Sequence, residues 1–234
     1  MFRANIIVMK KIVGIVAFLL VLACAGDTAE SEHGGAAAAD GAPVAVDERP
    51  VVLFLGTSLT AGLGLSEDEA YPAQIQAKVD SAGYDFRVVN AGSSGETSAG
   101  GLRRIDWLLR MPVVVLVIEL GANDGLRGQD IEALKENLLE IIDRSRAAYP
   151  EMTVLLAAME APPNMGDRYT DEFRRVFPTV ASARGVTLIP FLLNGVAGVD
   201  SLNQADGIHP TAMGHSIVAD NVWAVLGEVL AGIS

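Results

Sequence analysis

Over residues 50–234 the hydrophobic and polar positions alternate between two patterns. Short continuous apolar runs occur at Val51-Val52-Leu53-Phe54-Leu55 and at 86–89, 113–120, 153–157 and 187–189. A continuous run of strand length, without in-out alternation, marks a strand covered on both faces. Between the runs, Ile131, Leu134, Leu138, Ile141 and Ile142 recur at helical spacing, as do Val218, Val222, Val225, Leu226 and Val229 near the C-terminus. Strand and helix in succession predict an α/β domain: a parallel sheet between helices, wound with right-handed crossovers. In such sheets the functional loops lie beyond the carboxyl ends of the strands. Gly56-Thr57-Ser58 follows the first run, Asn90-Ala91-Gly92 the second and Gly121-Ala122-Asn123-Asp124 the third, which places all three on one edge. No internal repeat is visible.

Residues 1–49 follow neither pattern. Lys10-Lys11 precede an unbroken apolar stretch from Ile12 to Ala23. A basic flank before a short apolar core predicts a secretory signal over 1–24, too short to cross a bilayer comfortably. The stretch ends Val21-Leu22-Ala23-Cys24, and Cys24 is the only cysteine. That ending resembles the lipobox of bacterial lipoproteins, so Cys24 is the expected lipidation site and the cell envelope the expected address. An ordinary cleaved signal with an incidental cysteine is the alternative. Translation from Met9 would give a Met-Lys-Lys start. Residues 25–49 are rich in Gly, Ala and acids and too poor in apolar surface to offset their ordering entropy. They predict a flexible tether reaching roughly 25–30 Å, and His33 within it is set aside.

The remaining 50–234 suit one domain with a sizeable core. A formal charge of −12 argues against nucleic acid as a partner and against electrostatic docking on anionic lipid. With one cysteine there is no disulfide within the chain, and no Cys/His cluster has metal-ligand spacing, so no metal is expected.

Candidate chemistry sits on the predicted edge. Ser58 lies in a turn directly after the first strand, and His209 ends the segment Asp206-Gly207-Ile208-His209. A serine hydroxyl needs a base to take its proton and an acid to orient that base. Asp206, three residues before His209, is close enough in a tight turn to hold one ring nitrogen. Pro210 fixes the backbone after the histidine and Thr211 is placed to cap the following helix. On its own, Gly-x-Ser after a strand reads rather as a capping or turn serine. It is not the Gly-x-Ser-x-Gly elbow of α/β-hydrolases, since residue 60 is Thr. His215 is the competing base, but it falls inside the C-terminal helical pattern with no acid beside it. Asn123 offers a side-chain amide to an oxyanion. Gly95, taken alone, is a loop glycine. Glu119, an acid ending an apolar strand, reads as an acceptor bracing a loop.

These blocks, in this order, resemble the SGNH (GDSL-type) hydrolases. The likeness is to the branch of the bacterial multifunctional thioesterase, protease and lysophospholipase and its arylesterase relatives. It covers almost all of the folded region and extends through Val89-Asn90-Ala91, Ser94-Gly95-Glu96-Thr97-Ser98, Glu119 to Gly128 and Asp206-Gly207-Ile208-His209-Pro210. It implies a flavodoxin-like three-layer α/β/α fold on a mainly parallel five-stranded sheet, no cofactor, and Ser58, Asp206 and His209 as a triad. It also implies an oxyanion hole from the Ser58 and Gly95 N–H groups and the Asn123 amide. The segment carrying Pro163, Asn164 and Met165, after the fourth strand, is implied to wall the acyl pocket. Thr57 departs from the family, which usually has Asp there, and Ala122 stands where a second Gly is usual. The expected activity is a serine esterase acting on carboxylic acyl esters or thioesters, with long-chain lysophospholipid, aryl ester and thioester substrates all open. A carbohydrate O-deacetylase on the same fold and a non-catalytic envelope lipoprotein are the alternatives.

Overall fold

Val51–Gly56 forms strand β1, and every one of its residues is buried. That is the environment its unbroken apolar run requires. The computed structural model describes residues 47–234. The expected signal, Cys24 and linker residues 25–46 lie outside the described residues. Arg49, at the end of the expected linker, already engages the domain: its guanidinium donates to the Phe86 carbonyl at 3.2 Å.

The other runs become β2 (Arg87–Gly92), β3 (Val113–Glu119), β4 (Thr153–Ala157) and β5 (Thr187–Ile189). They form one five-stranded sheet in the order β2-β1-β3-β4-β5, and every neighbouring pair is parallel. The α-helices are α1 (Ser58–Ala61), α2 (Tyr71–Ser81), α3 (Ser98–Leu108), α4 (Ala122–Leu126), α5 (Ile131–Ala148), α6 (Asp167–Arg184) and α7 (Ala212–Ile233). Helix α2 packs on α7, while α3, α5 and α6 pack in series. Right-handed crossovers running in opposite directions from β1 place these two groups on opposite faces, giving the three-layer α/β/α arrangement.

Strand order reverses between β1 and β3, and that switch point is where an open α/β sheet has a crevice. The strand ends there are crowded. Gly56, Gly92 and Glu119 lie in register across β2, β1 and β3. A Cβ on Gly92 would stand 2.2 Å from the Ala61 nitrogen, and one on Gly56 would stand 1.9 Å from Thr60 Oγ1. Helix α1 therefore sits directly on the strand ends, which only glycine at both positions permits.

One expectation is corrected. Asn90-Ala91-Gly92 belong to β2 itself, because Leu55 pairs with Ala91 and Gly56 with Gly92. The loop begins at Ser93, whose N–H donates to the Gly56 carbonyl at 2.9 Å. The sheet edge is the predicted one. β2 is only partly buried, being an edge strand. Side chains cover its free side: Val88 N–H donates to Gln76 Oε1 at 2.6 Å, and Gly92 N–H to Asn90 Oδ1 at 2.9 Å. Such capping blocks pairing with another strand.

Candidate active site

Ser58 is the first residue of α1, with Thr57 as its N-cap. His209 lies in the loop that ends at Thr211, the N-cap of α7. Although 151 residues apart in sequence, His209 Nε2 and Ser58 Oγ are 2.9 Å apart. On the other side of the ring, His209 Nδ1 is 2.6 Å from Asp206 Oδ2. The second carboxylate oxygen of Asp206 accepts the N–H groups of Ile208 at 3.0 Å and His209 at 3.1 Å. These bonds, the one to the imidazole foremost, hold the Asp206 pKa down at about 2. The carboxylate is thus ionised at any working pH and fixes the tautomer with the proton on Nδ1. Nε2 is left to accept the serine proton.

Beneath the serine, Glu119 is fully buried. Its carboxylate accepts Thr57 N–H at 2.8 Å, Thr57 Oγ1 at 3.0 Å, Thr60 Oγ1 at 2.8 Å and Thr60 N–H at 3.3 Å. Tyr71 OH meets Thr60 Oγ1 at 2.7 Å and extends the network. Glu119 is therefore the loop-bracing acceptor its sequence position suggested. Thr57 is its partner: the hydroxyl donates to the carboxylate and accepts Leu59 N–H at 3.3 Å. The uncharged residue at the family's usual Asp position suits a buried carboxylate next to it. Desolvation still raises Glu119 to about 7, with the four hydrogen bonds opposing.

Among residues 57–61, the N–H groups of Thr57, Leu59, Thr60 and Ala61 all have acceptors within the protein. That of Ser58 has none among the described residues and is available to a ligand. Two further donors face the same cleft. Gly95 adopts a φ of +77°, and its carbonyl accepts Arg127 Nη2 at 3.0 Å. Asn123 Nδ2 gives one hydrogen to the Glu96 carbonyl at 2.9 Å, which aims the amide and leaves its second hydrogen free. Glu96 is in turn ion-paired with Arg104, which also donates to the Ala91 carbonyl at 2.6 Å. Asp124, buried behind Asn123, accepts Ser98 N–H at 2.9 Å and Ser98 Oγ at 2.6 Å. Sequence reasoning passed over Arg104, Arg127 and Asp124. For Asp124 alone a signal was available, an acid next to the candidate amide.

Ser58, Gly95, Asn123 and His209 line a cleft of about 490 Å³. Its walls include Leu59, Leu63, Leu126, Met159, Phe191 and Ile208, and among the described residues no Lys or Arg lines it. Of the three residues expected in the acyl wall, Pro163 lines the cleft, joined by Pro162, whereas Asn164 and Met165 do not. The reason is local geometry: Pro163–Met165 form a 3₁₀ turn, in which successive side chains point about 120° apart. The Met165 methyl instead lies over Gly128. His215 is no rival base. It is buried, its Nδ1 accepts Tyr71 N–H at 3.1 Å, and burial lowers its pKa to about 4.

A three-layer sheet with an alcohol, imidazole and carboxylate in line at its switch point, beside three free donors, defines a class of acyl-transfer hydrolase. Residues 54–217 match the model of the GDSL-like Lipase/Acylhydrolase family, and the chain belongs to that family. It is 44% identical over 181 residues to Esterase TesA of Pseudomonas aeruginosa, covering 76% of this chain and 89% of that protein. It is 39% identical over 171 residues to Thioesterase 1/protease 1/lysophospholipase L1 of Escherichia coli K12, covering 72% and 79%. The crystal structure of the psychrotrophic esterase EstA from Pseudoalteromonas sp., inhibited by monoethylphosphonate, superposes with a TM-score of 0.73. That match covers 77% of this chain and 98% of that one at 34% identity.

Proposed function

We propose that this chain is a serine esterase hydrolysing acyl esters or thioesters of small molecules, with Ser58 as nucleophile, His209 as general base and acid, and Asp206 as its orienting carboxylate. The observation that carries the reading is the hydrogen-bonded line from Asp206 through His209 to Ser58, opening on an apolar cleft. His209 Nε2 takes the hydroxyl proton while Ser58 Oγ bonds to the substrate carbonyl carbon. The carbonyl oxygen becomes an oxyanion held by the N–H groups of Ser58 and Gly95 and by the Asn123 amide. As the intermediate collapses, the bond to the alcohol or thiol breaks and the leaving atom takes the proton from His209. Water then attacks the acyl-enzyme with His209 again as base, releasing the acid and restoring Ser58.

The names of the relatives, esterase and thioesterase among them, agree with this chemistry. A cleft of about 490 Å³ with apolar walls accommodates an acyl chain well beyond acetyl, which favours this reading over an O-deacetylase. Ser58→Ala is expected to abolish hydrolysis of a p-nitrophenyl ester while the circular dichroism spectrum is kept; activity near wild type would remove Ser58 from the mechanism. Asn123→Ala is expected to lower kcat about 10²–10³-fold with a much smaller change in KM. A change confined to KM would assign Asn123 to substrate binding alone.

The same reading places the enzyme in the cell envelope, exported by residues 1–24 and anchored through a lipid on Cys24. The support is the basic flank, the apolar core and the lone cysteine at its end. Metabolic labelling with an alkyne fatty acid should mark the protein and not the Cys24→Ser variant; equal labelling of both would refute the anchor.

A further inference from the structure

The cleft does not end at His209. At Gly198 and Gly207 it shares its wall with a second cavity of about 230 Å³, lined also by Asp200, Asn203, Gln204 and Ala205. This cavity carries no large apolar side chain, and its polar groups share one character. Asn203 Nδ2 donates to the Val196 carbonyl at 2.7 Å and to the Val199 carbonyl at 2.9 Å. Gln204 Nε2 donates to the Leu63 carbonyl at 2.7 Å and to the Pro210 carbonyl at 3.0 Å. An amide nitrogen has two hydrogens, so both side chains have used their donors on the backbone and keep only a carbonyl oxygen. Asp200, exposed to solvent, adds a carboxylate. The Gln204 oxygen lies against Gly64 at the rim, so the side chains of the cavity offer the Asn203 oxygen and a negative charge, with no Lys or Arg among the described residues that line it.

Its position relative to the chemistry follows from the chain. The wall formed by residues 203–207 runs directly into His209, and Gln204 N–H donates to the His209 carbonyl at 2.7 Å. The departing oxygen of an ester must take its proton from His209 Nε2, so the alcohol half leaves on this side. The Gly95 and Asn123 donors, which receive the carbonyl oxygen, come from the loops after β2 and β3 instead.

We propose that the second cavity is the subsite for the alcohol half of the ester, and that it selects uncharged polyols, whose hydroxyls donate to these acceptors, over anionic alcohols. The inference rests on the esterase reading above. In the step it serves, the bond between acyl carbon and polyol oxygen breaks. That oxygen takes the His209 proton and departs as the free polyol, while the acyl group stays on Ser58 and passes to water.

The test compares three octanoate esters that differ only in the alcohol: glycerol, 1-propanol and glycerate. Wild-type kcat/KM should be at least about tenfold higher for the glyceryl ester than for the propyl ester, and lowest for the glycerate ester. Asp200→Lys should raise the glycerate-to-glyceryl ratio about tenfold, and Asp200→Asn should move it the same way by less. Circular dichroism spectra and urea midpoints of both variants should match those of wild type, which verifies their folding. Equal kcat/KM for the glyceryl and propyl esters, or a ratio that neither variant moves, overturns the subsite. If wild type fails on p-nitrophenyl octanoate as well, the esterase reading itself has failed, a result distinct from loss of alcohol selectivity.

Discussion

Glu119 faces no cation among the described residues; its partners are the neutral groups of Thr57 and Thr60. Burial raises its pKa from 4.5 to about 7, so the folded state favours the protonated form. Its contribution to stability is complete below about pH 4.5 and lost as pH rises through about 7, a difference of about 3 kcal/mol. His215 works in the opposite direction. Its folded pKa is lowered from 6.5 to about 4, so its contribution is present above 6.5 and lost as pH falls through 4. The two partly cancel in wild type. In Glu119→Gln only the His215 component remains, so urea midpoints should rise between pH 4.5 and 7 more steeply than in wild type. Parallel curves would contradict the assignment of Glu119. Thr57→Asp would set two carboxylates within hydrogen-bond distance, where one must keep a proton. Its stability should fall faster than wild type above pH 7, and an unchanged slope would show that the turn opens to solvent. The sequence made Ser58, Asp206, His209 and Asn123 legible because each is a reactive type beside a turn. Arg104 and Arg127 were not legible, since their contacts, with Glu96 and the Ala91 carbonyl and with the Gly95 carbonyl, are made only by the folded loops.

Helix α1 is short, yet it places Ser58, and it does so by resting on glycines at the ends of β1 and β2. Gly92→Ala would press a methyl group against the α1 backbone, where no flexible side-chain end can yield. Loss of most esterase activity and about 2–3 kcal/mol of stability is expected, measurable by kinetics and urea unfolding. Full activity would mean that α1 shifts without cost. The strands were legible because a run buried on both faces leaves a continuous apolar signature. Extension of β2 through Asn90-Ala91-Gly92 was not, because these residues have low strand propensity and are held by pairing with β1. The 3₁₀ turn at Pro163–Met165 was equally hidden, so Met165 was expected in a wall from which its own backbone turns it away. Helix α6 continues through Pro178 despite the lost N–H. Thr179 Oγ1 donates to the Arg175 carbonyl at 2.6 Å, and the proline lies on the exposed side. Pro178→Ala should therefore stabilise the fold by about 1–3 kcal/mol; a lower melting temperature would show that a kink there is needed.

At the scale of the whole molecule, the order β2-β1-β3-β4-β5 explains why chemistry spread over the chain meets in one place. Reversal of direction at β1 opens the crevice, the loops after β1 and β3 form its two lips, and the segment leading into α7 brings the imidazole across. The negative charge of −12 and a cleft with no Lys or Arg among the described residues lining it give an anionic ligand no cation to pair with. In the proposed mechanism, reactivity depends above all on activation of Ser58 by His209. Peptide mass spectrometry after treatment with an alkyl fluorophosphonate tests that directly. A single phosphonyl group on the peptide containing Ser58, absent when His209 is replaced by Ala, is the predicted result. An unmodified chain, or an adduct on another residue, would contradict it.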